Sequence, residues 1–155
     1  MLAAMPHLLS TADVEPRQRV AFWTDLVCDT YVQLECDAYA GAASIDGEIV
    51  SDRLATLSLS TVTATAQQVR RTKARIADAS EDYFLVSIQT QGRGVVSQDG
   101  RDALLGPGDF ALYDSTRPYT LTEPESAVAV ADSVAQIPVP ACRPCRWRAG
   151  QRSRN

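Results

Sequence analysis

Apolar residues first recur at helical spacing near the start of the chain, between Val14 and Tyr31. Val20, Trp23, Val27 and Tyr31 fall on one face of a helix with 3.6 residues per turn. This spacing predicts an amphipathic α-helix from Val14 to Tyr31. We expect its apolar face to pack against a sheet, because large aromatic side chains stabilise a core more often than they serve as a binding platform.

The residues at the start of this segment are compatible with a helix terminus. Asp13 is the predicted N-cap, since a short polar side chain at that position accepts a hydrogen bond from a free backbone N–H. Pro16 fits the first turn, where its missing N–H would have no intrahelical partner. Phe22 and Leu26 widen the apolar face.

From Ile45 onward the pattern changes to a period of two, which predicts β-strands. Residues 57–62 alternate in this way, in a segment rich in Thr, Val and Ser. Residues 66–75 are polar and basic. Residues 83–88, the run YFLVSI, are continuously apolar and short, which predicts a strand buried on both faces.

The clearest turn signals lie in the second half of the chain. Asp99 and Gly100 stand between two short apolar runs, which predicts a tight hairpin because both residues accept positive φ. Residues 106–109, Gly-Pro-Gly-Asp, predict a second turn. Residues 110–113 and 119–122 are the strands expected after these turns.

From about Ala127 the sequence shows no period of either kind, and residues 127–155 are predicted to be an irregular basic tail. The chain would then consist of an extension over residues 1–13, a folded domain over residues 14–126 and this tail. The tail is rich in Arg, Ala, Pro and Cys, and we consider two hypotheses for it. It is the out-of-frame translation of a GC-rich gene, or it is a genuine disordered end.

The charges are distributed unevenly along the 155 residues, a length typical of one domain. Up to Asp132 ten basic residues face nineteen acidic ones, a net charge of −9, and five arginines follow, a net charge of +5. An acidic domain repels a phosphate backbone, so the part predicted to fold is not expected to bind nucleic acid by itself.

The sequence gives no sign of export or membrane insertion. The first ten residues lack a basic segment, and Pro6 and His7 interrupt their apolar stretch, which differs from a secretory signal. No run approaches the 18 or more apolar residues of a membrane span. We therefore predict a cytoplasmic protein, in which Cys28 and Cys36 are buried reduced thiols rather than a disulfide.

Residues for metal or nucleophilic chemistry are missing from the predicted domain. His7 is the only histidine, so neither an imidazole metal cluster nor a histidine base for the strand serines is available. Cys142 and Cys145 form a C-x-x-C motif, but no second ligand pair accompanies it. We expect no catalytic residue, no metal and no cofactor.

The longest motif series runs from Asp82 to Leu121, DYFLVSIQTQGRGVVSQDGRDALLGPGDFALYDSTRPYTL. Its order of strand, Gly-rich bend, QDGR hairpin, GPGD turn, strand and RPY resembles the ligand-binding domain of AraC-type transcription regulators. The segment QVRRT, residues 68–72, and the pair Phe22-Trp23 in the leading helix match the same group. The resemblance covers about residues 14–126.

This resemblance implies a mainly β fold, a cupin-like barrel or sandwich with an N-terminal amphipathic helix. It also implies that the domain senses a small-molecule effector and forms a homodimer through helices. Intact members continue into two helix-turn-helix motifs, for which the 29 residues after Ser126 are too few. Pro138, Pro140 and Pro144 would also break their helices. We therefore expect DNA binding only through a missing C-terminal domain.

The candidate ligand-binding residues lie on one face of the central predicted strand and near it. Periodicity leaves open which face of residues 83–88 points inward, because both are largely apolar. We take Tyr83, Leu85 and Ser87 as the inner set, with Tyr113 beside them and Arg71 as a partner for an anionic effector. The alternative is ordinary core packing, and a solvated arginine at position 71.

Two other functions are compatible with the same residues. The chain could be a stand-alone interaction module that forms mixed dimers with intact regulators and weakens their DNA binding. It could also be a metal-free cupin enzyme, which the missing acid-base residues disfavour.

Overall fold

The computed structural model of the chain describes residues 6–54, 57–124 and 130–138. Within them the backbone forms two α-helices, α1 (Arg19–Thr30) and α2 (Lys73–Ala77), and short 3-10 turns at Pro16–Gln18 and Tyr39–Gly41. The strands are β1 (His7–Ser10), β2 (Glu35–Ala38), β3 (Gly47–Leu54), β4 (Leu57–Ala64), β5 (Gln67–Arg71), β6 (Tyr83–Gln91), β7 (Gly94–Gln98), β8 (Arg101–Leu105), β9 (Phe110–Asp114), β10 (Tyr119–Glu123) and β11 (Val130–Pro138). The predicted mainly β fold with a leading helix is confirmed.

The strands form two antiparallel sheets that enclose one core. The six-stranded sheet has the order β1-β3-β4-β11-β6-β9, and the five-stranded sheet has the order β2-β5-β10-β7-β8. Side chains alternate along each strand, so the inner faces supply the buried residues and the outer faces point away from the core. The buried cluster draws residues from both sheets and from α1.

Helix α1 is anchored by Trp23, whose side chain is completely buried. The Trp23 Nε1–H donates a hydrogen bond of 2.7 Å to Oε1 of Gln67 on β5. Gln67 in turn donates from Nε2 to Oε2 of Glu123 on β10, at 2.9 Å. A buried tryptophan needs a partner for its N–H, and this pairing fixes the helix against the five-stranded sheet.

Gly47, the first residue of β3, leaves the space that the Trp23 ring fills. A Cβ placed on Gly47 would lie 2.6 Å from Cε3 of Trp23, closer than real Cβ contacts come. The indole is therefore held between the helix and the start of β3, and no larger residue fits at position 47.

The helix begins later than its apolar pattern predicts. Residues 16–18 form a 3-10 turn, and Gln18 is the N-cap of α1 without a side-chain hydrogen bond. The prediction of Asp13 as N-cap is therefore wrong. The reason is Pro16, which disfavours the helical conformation of the residue before it, and Glu15 is accordingly extended with φ −54° and ψ 136°.

Strand β6 is buried on one face rather than two. Leu85, Ser87 and Gln89 point inward and are buried, whereas Ile88 on the opposite face is 43% exposed. The prediction of a strand buried on both faces is wrong because the described residues cover only the inner face of this sheet.

The turns between β7 and β9 match their predictions. Asp99 and Gly100 have φ values of 54° and 71°, and they connect β7 to β8 with Gln98 opposite Arg101. This is the two-residue hairpin that an Asp-Gly pair favours. In the next turn Gly108 has φ 88°, and the Asp109 N–H donates to the Gly106 carbonyl at 2.9 Å.

The prediction of irregular structure from about residue 127 is wrong for residues 130–138. These residues form β11, which lies between β4 and β6 in the six-stranded sheet. Their own pattern is weak, since the buried side chains among residues 134–138 are Val134 and Gln136, one apolar and one polar. The strand forms because neighbours on both sides supply its backbone hydrogen bonds, a tertiary effect that local periodicity does not carry. The rest of the predicted tail lies outside the described residues.

Replacing Gly47 with alanine should destabilise the fold through the Trp23 contact. We expect Gly47→Ala to lower the free energy of unfolding by about 1–3 kcal/mol, the usual cost of forcing extra volume into a packed core. Gly106→Ala is the matched control, since its Cβ would meet only Asp109 Oδ2 at 3.6 Å and its φ is not positive. Urea unfolding of both variants measures the difference, and equal losses would contradict the contact.

Cys36 should be inert in the folded chain. Burial is the main cause that raises the pKa of its thiol to about 12, so almost no thiolate is present at pH 8. Both Cys28 and Cys36 are free thiols, as predicted, but only Cys36 is buried, and Cys28 is partly exposed. We expect iodoacetamide to leave Cys36 unmodified in the native chain and to alkylate it in urea, as mapped by peptide mass spectrometry. Equal modification in both states would show that the thiol is not buried.

Candidate functional site

A partly open cavity lies between α1 and the inner faces of the two sheets. The helix and the residues after it form one side, and inward side chains of six strands form the rest. The lining residues are Trp23, Val27, Tyr31, Leu34, Val62, Gln67, Val69, Leu85, Ser87, Tyr113, Tyr119, Leu121, Glu123 and Val134. Most of this wall is apolar, and its few polar atoms belong to two small groups.

The first polar group is a pair of hydroxyls on adjacent strands. Ser87 on β6 and Tyr113 on β9 are 2.7 Å apart, and both are buried. Either oxygen can donate or accept in this pair, so the pair can adapt to a donor or an acceptor on a ligand. The Tyr113 ring meets the ring of Tyr119 edge to face, with centroids 4.8 Å apart. Burial raises the pKa of Tyr119, which keeps this phenol neutral.

The second polar group is the hydrogen-bonded series that holds the helix. Gln67 and Glu123 both line the cavity, and Gln67 accepts from the Trp23 indole while it donates to the Glu123 carboxyl group. Both side chains are nearly inaccessible to solvent. The position of α1 is thus coupled directly to a polar part of the cavity wall.

The cavity is small in this structure, with a volume of about 50 Å³. That is room for a few water molecules, whereas sites for drug-sized ligands measure about 300–1,000 Å³. A ligand with one ring would therefore need lining side chains or α1 to move outward.

Three of the five predicted site residues lie together in this cavity. Leu85, Ser87 and Tyr113 are buried and contribute to its wall. Tyr83 is only half-buried and is not part of the wall, and its hydroxyl donates to Glu81, the main cause that raises its pKa. The predicted inner face of residues 83–88 is therefore the inner face of β6, with Tyr83 at its end.

Arg71 lies apart from the cavity, although its residue is only 1% exposed. Its Nε donates to the Ser115 carbonyl at 3.1 Å, and its Nη1 donates to the Gln33 carbonyl at 2.6 Å and more weakly to that of Arg75. Burial lowers the pKa of its guanidinium. Nη2 is buried without a hydrogen-bond partner among the described residues. Arg71 thus connects two loops and helix α2, and it is not solvated. It borders an open surface pocket of about 310 Å³ on the five-stranded sheet.

Much of the cavity wall comes from segments that periodicity left unassigned. Gln67 and Val69 belong to the stretch described above only as polar and basic, yet they alternate inward along β5. Glu123 closes β10, where an acidic residue resembles the start of a loop. Val134 lies on β11. Gln67, Val69 and Arg71 alternate along the sequence as residues of a strand do. The polar residues between them, Gln68 and Arg70, obscured this pattern because the inward positions are themselves partly polar.

A metal centre and a membrane-spanning helix are both absent from the part of the chain that the structure describes. No three side chains of His, Cys, Asp or Glu there come close enough together to hold a metal ion. Neither helix there has the length and apolar character needed to cross a membrane. The cytoplasmic location stays a prediction.

Curated relatives share sequence with this chain over part of their length. A protein of unknown role from the nit 5′ region of Bacillus sp. (strain OxB-1) is 42% identical over 117 residues, which are 76% of this chain and 45% of that protein. The transcriptional activator NphR of Rhodococcus sp. is 38% identical over 68 residues, 44% of this chain and 20% of that protein. The chain spans less than half the length of these relatives.

A solved structure shares the fold. The AraC-like transcriptional activator CuxR superposes with a TM-score of 0.72 at 17% identity, over 86% of this chain and 47% of that one. At this identity the match concerns the fold alone. The shared fold agrees with the cupin-like fold predicted from the sequence.

The sequence itself matches the AraC-binding-like domain family over residues 23–132. The match begins at the tryptophan that anchors α1 and extends into β11. It takes in every residue that lines the cavity wall except Val134. This chain therefore belongs to the AraC-binding-like domain family, the ligand-binding domain type of AraC-type transcription regulators.

Proposed function

We propose that this chain is the effector-sensing part of an AraC-type transcription regulator, and that it binds its effector without transforming it. The observation that carries this proposal is the cavity between α1 and both sheets, with a hydroxyl pair in an apolar wall. Such a combination of apolar surface and a few convergent polar groups is typical of a small-molecule site.

The effector of this proposal is small and uncharged, with an aromatic ring and a hydroxyl group. Leu85 and Tyr113 supply apolar and ring surface, and the Ser87 hydroxyl offers a donor or an acceptor. An anion finds no cationic partner in this wall, because Arg71 donates to backbone carbonyls elsewhere and the Glu123 carboxyl group lines the cavity. Burying an unpaired anion there would cost several kcal/mol.

Two further parts of the proposal concern partners. The chain acts as a homodimer, and its response is transmitted to DNA by a region outside this sequence. The curated relatives named above are more than twice as long as the part they share with this chain, which leaves room in them for such a region. The acidic character of the residues up to 132 supports the separation, since ten basic residues there face nineteen acidic ones.

The ligand class can be tested with a pair of compounds of the same ring size. We expect phenol to raise the melting temperature of the chain and benzoate to leave it unchanged, because only the neutral compound fits a wall without a cation. Stabilisation at a hundredfold excess over Kd should amount to about 2.7 kcal/mol. Tyr113→Phe should weaken phenol binding by about tenfold, the worth of one hydrogen bond of roughly 1.4 kcal/mol.

The control for this series is Ser97→Ala, which removes a hydroxyl from the outer face of the five-stranded sheet, where Ser97 bonds to Asp102. It should bind phenol like the parent chain. Greater stabilisation by benzoate than by phenol, or equal phenol binding in Tyr113→Phe and the parent, would contradict the proposed ligand class.

If sensing and DNA binding lie in separate regions, this chain alone should not bind promoter DNA. We expect the purified chain not to retard promoter DNA in a gel-shift assay at 150 mM salt, because its acidic body repels the phosphate backbone. A full-length relative on the DNA of its own promoter serves as the positive control. Specific retardation by this chain alone would sink this part of the proposal.

A further inference from the structure

The outer face of the six-stranded sheet concentrates exposed apolar side chains. Among the described residues eight large hydrophobic side chains are exposed, and six of them lie on this one face. The six are Leu8, Leu59, Ile88, Phe110, Leu112 and Ile137. Scattered apolar residues are normal on a protein surface, but a contiguous patch of them marks an interaction site.

Strand pairing shows that the patch is continuous. Leu59 pairs with Ala135, Ala135 with Val86, and Val86 with Leu112, which gives one apolar row across β4, β11, β6 and β9. Ile88 and Phe110 pair directly in the adjacent row. Neighbours in such rows lie only about 5 Å apart, so their side chains form one surface.

The other sheet shows the opposite character on its outer face. Its corresponding row runs through Glu35, Arg70, Thr120, Ser97 and Asp102. This row is polar, and Arg70 forms ion pairs with Glu35 and Asp37. Leu104 is the one exposed large hydrophobic residue on this sheet among the described residues, against six on the outer face of the six-stranded sheet.

The apolar face has the size and relief of a dimer interface. The six strands are four to nine residues long, 43 residues in all, and at 3.3 Å a residue and 4.8 Å between strands they cover roughly 680 Å² before side-chain relief is counted. A standard interface buries about 800 Å² on each partner. A groove of about 400 Å³, lined by Val50, Leu59, Ile88 and Ala135 among others, lies on the face. Phe110, which is 60% exposed, projects beside it.

We propose that a second copy of this chain packs on this face, sheet against sheet, about a twofold axis. The contact is isologous, so the groove of each copy receives a projecting side chain such as Phe110 of the other. Residues 139–155 of this sequence fit the face poorly, since they carry five arginines and two prolines and only Val139 and Trp147 as large apolar residues. This inference rests on the homodimer in the proposed function. It assigns the dimer contact to a sheet face instead of the helices that the resemblance implies.

The proposal is tested by sedimentation velocity on the whole chain and on single variants. We expect the parent to sediment as twice its 16.8 kDa mass at micromolar concentration. Ile88→Lys and Phe110→Lys should each raise the dimer dissociation constant by at least a hundredfold, because they place a charge in a desolvated interface. Both positions are exposed in the single chain, so each variant should fold to a monomer with the far-UV circular dichroism spectrum of the parent, while its unfolding midpoint loses the contribution of the dimer.

Leu104→Lys is the matched control. Leu104 is 80% exposed on β8 of the other sheet. The substitution therefore places the same charge away from the apolar face and should leave the dimer intact. Phenol binding, measured on the same variants, is expected to persist.

The outcomes separate this inference from the proposal beneath it. A dimer that survives both lysine variants overturns the sheet face and leaves homodimerisation standing. A parent chain that stays monomeric at 100 µM overturns both. Loss of phenol binding in the parent, with the dimer and its variants behaving as expected, would overturn the effector proposal alone.

Discussion

The structure depends on the burial of one side chain, the indole of Trp23. Its ring fills the space over Gly47 on the six-stranded sheet, and its N–H reaches Gln67 on the five-stranded sheet. One helical residue therefore contacts both sheets, and the position of α1 is set by the packing of a rigid ring and by one hydrogen bond. Because Gln67 also bonds to Glu123, the same residue shapes the polar part of the cavity wall. A ligand that moved α1 outward would change this contact, and in the proposed function this is how occupancy of the cavity would reach the leading helix.

The inner and outer faces of the six-stranded sheet differ in what they contact. Its inner face carries Leu85, Ser87 and Tyr113 and lines the cavity. Its outer face carries Ile88 and Phe110, which are exposed in the single chain. Alternation along β6 thus places the cavity residue Ser87 next to Ile88 on the outer face. If a second copy covers the outer face, strands shared by both faces would connect the effector to the partner without any intervening element.

The sequence predicted those parts of the structure that local chemistry determines. The Asp99-Gly100 hairpin and the amphipathic face around Trp23 and Val27 follow from turn conformation and from helical spacing, and both are present. Other features depend on contacts made far away in the chain. Residues 130–138 become a central strand because β4 and β6 lie on either side of them. Arg71 lies in a polar and basic stretch, which is typical of a solvated arginine. It is buried because its guanidinium donates to carbonyl groups of loops more than 35 residues away along the chain. Five of the fourteen residues that line the cavity lie outside the predicted helix and strands for the same reason, namely Leu34, Gln67, Val69, Glu123 and Val134.

The most direct test of the account is the indole N–H resonance of Trp23 in a nitrogen-15 NMR spectrum during a phenol titration. Trp23 and Trp147 are the two tryptophans of the chain, so Trp147→Phe leaves one indole signal to follow. The account predicts a saturable shift of this signal, with the dissociation constant found by thermal stabilisation, because the Trp23–Gln67 hydrogen bond borders the cavity. Saturable binding that leaves the Trp23 signal unmoved would place the ligand elsewhere and contradict the account.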